Sequence, residues 1–109
     1  MNNIDVPALI VKSLKDNKDN WELGRRDKNV RTLAYFGIGS DEMLREIAES
    51  ISPADYRKGP VNDDHSTPYP GPVWIFQTTI LGELCYLKVQ RKPDSTDFWI
   101  SAHLNDLSN

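Results

Sequence analysis

The chain has 109 residues, with 13 Lys and Arg against 16 Asp and Glu, a formal net charge of −3 and 39% hydrophobic residues. This length and apolar content suit a single folded domain spanning 1–109 around one core, and the charge balance excludes a uniformly basic phosphate-binding surface, so any contact with nucleic acid must be local. No run approaches the ~18 apolar residues of a membrane span, and the first fifteen residues lack a basic start, an apolar block and a small-residue cleavage site, which predicts a cytoplasmic protein with no membrane contact.

Leu9, Ile10 and Leu14, joined by Val6, recur at helical spacing and predict a first helix over 6–17, with Asp5 as its cap and Pro7 at its start. A polar turn over 16–20 leads into Trp21-Glu22-Leu23, which alternates as a short strand at a sheet edge. Val30, Leu33, Ala34 and Phe36 share one side of a second helix over 29–36, which Gly37 and Gly39 stop by supplying left-handed backbone. Ser40 caps a third helix, in which Asp41 and Glu42 meet the positive end of the dipole and Met43, Leu44, Ile47, Ala48 and Ile51 form the apolar stripe. Ser52-Pro53-Ala54-Asp55 carries the cap, proline and returning carboxylate of one further turn.

Proline and glycine crowd 59–72, which predicts a surface loop long enough to be functional. Three strands rich in aromatic and β-branched residues follow over 73–79, 84–90 and 98–103, turned at Leu81-Gly82 and across 92–96. The expected fold is α+β: a small antiparallel sheet, made of this three-stranded meander and the short N-terminal edge strand, packed against three helices.

Strand alternation puts Cys85, Leu87 and Val89 in the core and Leu84, Tyr86, Lys88 and Gln90 on the opposite side. By the same parity Phe98, Ile100 and Ala102 face inward, while Trp99, Ser101 and His103 join Tyr86 and Lys88, with Gln77 beside them from the first strand. One water-facing surface is thus expected to gather phenol, amine, indole and imidazole, with Arg91 at the strand end. Taken singly, Lys88, Ser101 and Gln77 also fit the ordinary solvated face of an antiparallel sheet. Cys85, the one cysteine, excludes an intramolecular disulfide and a thiolate cluster and fits a small buried hydrophobe. Two histidines with scattered aspartates lack zinc-site spacing, so no metal is expected. Neither a glycine-rich phosphate loop nor a Gly-x-Ser-x-Gly elbow occurs, and Gly37-Ile38-Gly39 lacks the third glycine, so no nucleotide cofactor is expected either.

The chemistry these side chains suit is RNA cleavage without a metal. A base removes the 2′-hydroxyl proton, a cation stabilises the phosphorane and an acid protonates the leaving oxygen. Histidine can serve in either proton transfer, lysine meets the charge on phosphate, and Tyr86, Trp99 or Tyr69 offers a ring on which an unpaired base can stack.

The order of several short motifs supports this expectation: Leu33-Ala34-x-x-Gly37-Ile38, then Ser52-Pro53-Ala54-Asp55-Tyr56-x-Lys58-Gly59-Pro60, Val73-Trp74-x-Phe76, Gly82-x-Leu84-x-Tyr86-Leu87-Lys88 and Ile100-Ser101-x-His103. Over roughly residues 29–104 the chain resembles the MqsR-like branch of the RelE-type toxins of bacterial type II toxin-antitoxin systems. The resemblance implies a RelE-like fold and an endoribonuclease that cuts messenger RNA, free or at the ribosome, needs no cofactor and is silenced by a cognate antitoxin protein. It implies catalytic roles for Lys58, Tyr86 and His103, and Gln77 matches a glutamine of the tryptophan-bearing strand; Lys88, Trp99 and Arg91 join Gln77 as candidates for holding substrate. Two other functions fit the same residues: a non-catalytic module that binds a protein through the 59–72 loop and the sheet face, and a fold relative that has lost activity but still docks an antitoxin-like partner.

Overall fold

The computed structural model describes residues 5–62 and 71–107. In chain order they form helix α1 (Val6–Asp16), strand β1 (Trp21–Leu23), helices α2 (Asp27–Phe36) and α3 (Ser40–Ser50), and strands β2 (Tyr56–Asn62), β3 (Pro72–Ile80), β4 (Glu83–Arg91) and β5 (Asp97–Leu104). The fold is α+β, with three helices and a five-stranded mixed sheet in the order β1-β5-β4-β3-β2. β1 runs parallel to β5, and the other neighbours are antiparallel. Among the described residues no helix is long and apolar enough to cross a membrane.

A side-chain cap holds the start of α1 and the turn after α3, whereas α2 and α3 begin without one, and Ser40, the expected cap of α3, is its first residue after Gly39. The Asp5 carboxylate accepts the Ala8 amide at 3.1 Å ahead of α1, Gly37 ends α2 with φ 70°, and the Ser52 amide donates to Asp55 at 2.9 Å in the turn after α3. On α3 the buried stripe is the expected one, with Met43, Ile47 and Ile51 inside. The other two helices differ from expectation. α1 buries Val11 and Leu14 while Val6 and Leu9 stay exposed, and α2 buries Asn29 and Thr32 while Val30 and Ala34 face outward.

The polar burial on α2 has a direct cause. β1 covers β5 only as far as Trp99, which leaves the rest of the β5 edge with unpaired backbone groups. Asn29 donates from Nδ2 to the Ile100 and Gly24 carbonyls, both at 3.0 Å, and accepts the Ala102 amide at 2.8 Å. The Thr32 hydroxyl accepts the Leu104 amide at 2.9 Å. Two side chains therefore complete the edge as a strand would, satisfying backbone groups that would otherwise be buried without partners.

The main core lies between one sheet face and helices α1 and α3, where Val11, Leu14, Met43, Ile47 and Ile51 meet Phe76, Cys85, Leu87, Val89, Trp99 and Ala102. Besides the parallel β1, which makes mixed a sheet expected to be antiparallel, two features of the sheet correct the expectation. The predicted loop over 59–72 begins instead as β2, an edge strand antiparallel to β3 with register shifts on either side of Lys58. Gly59, with φ 136°, allows this: a Cβ there would lie 2.8 Å from the Val73 carbonyl oxygen and 2.8 Å from Trp74 Cδ1. Most of that loop, including Tyr69, lies outside the described residues.

The second correction is a bulge in β5. Lys88 pairs with Ser101 but Val89 pairs with Trp99, so Ile100 is an extra residue and the alternation reverses beyond it. Trp99 consequently turns into the core, fully buried with its ring 4.8 Å from that of Trp21 in an edge-on contact, and Phe98 takes the opposite face, across from Gln90.

Candidate functional site

The face away from α1 and α3 is organised in cross-strand rows. Gln77, Tyr86 and His103 form one row, and Lys58, Ile75, Lys88 and Ser101 form the next. The shared parity of residues 77, 86, 88, 101 and 103 thus agrees with the sequence expectation.

Tyr86 and His103 are stacked, with ring centroids 5.4 Å apart and planes 29° from parallel. The expectation that the imidazole faces water is overturned: His103 is 2% exposed. Its Nδ1 lies 3.0 Å from the Leu104 carbonyl oxygen. A carbonyl only accepts, so Nδ1 carries the proton and Nε2 is the basic nitrogen of the neutral ring. Burial holds the imidazole below its ordinary pKa; the Leu104 carbonyl opposes that shift, and the charges of Lys28, Arg26 and Lys88 add to it.

Those three cations belong to two elements. Lys88 stands on β4, while Arg26 immediately precedes α2 and donates from Nη1 to Ser101 Oγ at 2.8 Å, with Lys28 in the first turn of that helix. Sequence reading missed Arg26 and Lys28 as site residues. The basic pair Arg25-Arg26 is visible in the sequence, but only the packing of α2 along β5 brings Arg26 near His103. Arg57 was missed too; it donates from Nε to Gln77 Oε1 at 3.0 Å, and Gln77 Nε2 donates to Asn105 Oδ1 at 2.8 Å. Gln77 therefore links β2 to the turn after β5, across the row that holds Tyr86 and His103.

Other expected site residues lie farther along this face or on the opposite one. Lys58 is exposed on β2, opposite Ile75, and three strand spacings of about 4.8 Å separate it from β5. Trp99 offers no ring to this face, because the bulge turns it into the core. Arg91 is also on the other side: it forks onto Asp97 at 2.8 and 2.9 Å and donates to Ser13 Oγ at 3.0 Å, tying β4 and β5 to α1. Cys85 is fully buried, and burial pushes its thiol up to about 12, which keeps it protonated. Among the described residues no three His, Cys, Asp or Glu side chains converge as a metal site.

The rows described here contain Lys58, Lys88 and His103 and no carboxylate, whereas exposed Asp41, Glu42 and Glu49 lie on α3, which packs on the opposite face. Among the described residues these rows of a chain of net charge −3 thus carry lysines and no carboxylate, with a stacked aromatic pair in one of them, an arrangement that attracts and orients an anion. Compared with protein-family models, with curated proteins and with solved structures, the chain matches none.

Proposed function

We propose that the chain is a metal-independent endoribonuclease, the RelE-type toxin of a type II toxin-antitoxin pair, that cleaves messenger RNA on the face of its sheet. The observation that carries this reading is the Tyr86–His103 stack set among Arg26, Lys28 and Lys88 on one face of an otherwise acidic chain. In the proposed reaction His103 Nε2 takes the proton of the 2′-hydroxyl, whose oxygen attacks the adjacent phosphorus. Lys88 and Arg26 stabilise the phosphorane charge, and as the P–O bond breaks the 5′-oxygen takes a proton from water and leaves as a hydroxyl, giving a 2′,3′-cyclic phosphate on the upstream fragment, while the His103 imidazolium returns its proton to solvent. A depressed pKa suits the base role, because the ring is neutral at pH 7. Tyr86, stacked on the imidazole, holds that ring and offers its outer face to a substrate base, and the buried Nε2 is reached when a side chain beside it shifts.

The burial of His103 favours a second reading, in which the same face binds a partner without chemistry. Expression in a bacterium separates the two. The toxin reading expects growth arrest on induction, relieved by His103→Ala and by Tyr86→Ala; normal growth with folded wild-type protein at full level would remove it.

A further inference from the structure

Lys58, Ile75, Lys88 and Ser101 lie in register across β2, β3, β4 and β5, and the Nη1 contact to Ser101 adds Arg26 at the far end. The cations of this row follow the hydrogen-bonding direction of the sheet, at right angles to the strands. The Gln77–Tyr86–His103 row runs beside it, two residues or about 7 Å further along the strands. Phosphates along the first row would leave the attached bases over the rings of the second. The row also divides its cations by reach. Lys88 and Arg26 flank Ser101, two residues along the strands from the stack, whereas about 14 Å of sheet separates the Lys58 backbone from that of Ser101. A phosphate touching Arg26 is therefore beyond Lys58.

We infer that single-stranded RNA crosses the strands of this sheet instead of following them, with the reacting phosphate between Arg26 and Lys88 and a neighbouring phosphate on Lys58. This rests on the ribonuclease reading and refines it. It makes Arg26 a catalytic residue, assigns Lys58 to substrate binding away from the reacting atoms, and requires an unpaired oligonucleotide with more than one phosphate for full affinity.

The test titrates the purified chain with 2′-O-methyl oligouridines that cannot be cleaved, a dinucleotide with one phosphate and a hexanucleotide, following amide chemical shifts and fluorescence anisotropy respectively. Arg26→Gln keeps a donor for Ser101 and should weaken both ligands about tenfold. Arg26→Lys, which keeps the charge, should recover most of that loss. Lys58→Ala should weaken the hexanucleotide alone and lower its salt slope by ~0.7. The track is wrong if Lys58→Ala weakens the dinucleotide as much as Arg26→Gln does, or if both variants bind the hexanucleotide like wild type. Should wild type still cleave RNA in either of those cases, the ribonuclease reading survives and only the track is lost. If wild type neither binds nor cleaves RNA, both fall.

Discussion

His103 shows how one side chain can be correctly placed by sequence and wrongly exposed by it. Alternation along β4 and β5 is enough to put residue 103 opposite Tyr86, because the bulge lies on the other side of Ser101. Its coverage by the Tyr86 ring depends on how the two side chains settle, which no period encodes. The consequence is a pH dependence with a defined sign. In the folded chain the imidazole titrates below the ordinary value of 6.5, so the unfolded chain binds the proton more readily. The stability associated with neutral His103 is fully present above the unfolded pKa and is lost as pH falls through the folded one. Urea unfolding of wild type and His103→Asn across pH 5 to 8 should therefore diverge in slope only below about pH 6.5, with wild type falling more steeply. Parallel curves would mean that the ring is not held neutral by burial.

At the scale of elements, α3 and the strands β3 and β4 were legible because their apolar periods are uninterrupted. β2 was not, since Gly59 and Pro60 within it are the residues that ordinarily mark a loop. β5 was legible over its last residues and misread at Trp99, because an extra residue in a strand leaves no mark in composition. α2 was placed correctly and its inward side half assigned: Leu33 and Phe36 pack against the core, while Val30 and Ala34 face outward and Asn29 and Thr32 are the buried pair. That pair serves as hydrogen-bonding partner for a strand edge, and a search for apolar spacing passes over Asn29 and Thr32. That role makes a strong prediction. Asn29→Ala leaves the Ile100 carbonyl and Ala102 amide of β5 and the Gly24 carbonyl without their partner, and should cost about 3 kcal/mol in chemical unfolding. A loss under about 0.5 kcal/mol, the range of an ordinary surface substitution, would show that the edge is satisfied some other way.

Among the described residues, a chain of net charge −3 sets several basic side chains together on one face. Carboxylates line the outer side of α3, while Arg26, Arg57, Lys58 and Lys88 belong to the face that holds Tyr86 and His103. Composition argued that any contact with phosphate must be local, and only the strand order shows which basic side chains share a face. The topology brings β2 and the lead into α2 to opposite ends of the same row, although about thirty residues of chain lie between Arg26 and Lys58. The central claim is that this face cleaves RNA with protein groups alone. Its most direct test is incubation of the purified chain with a labelled single-stranded RNA in excess chelator, with the fragment ends identified by mass. The account predicts fragments ending in a 2′,3′-cyclic phosphate, formed at a rate the chelator does not change and slowed at least ~100-fold in a folded His103→Ala variant. Intact RNA, or cleavage that proceeds equally well without that imidazole, would contradict it.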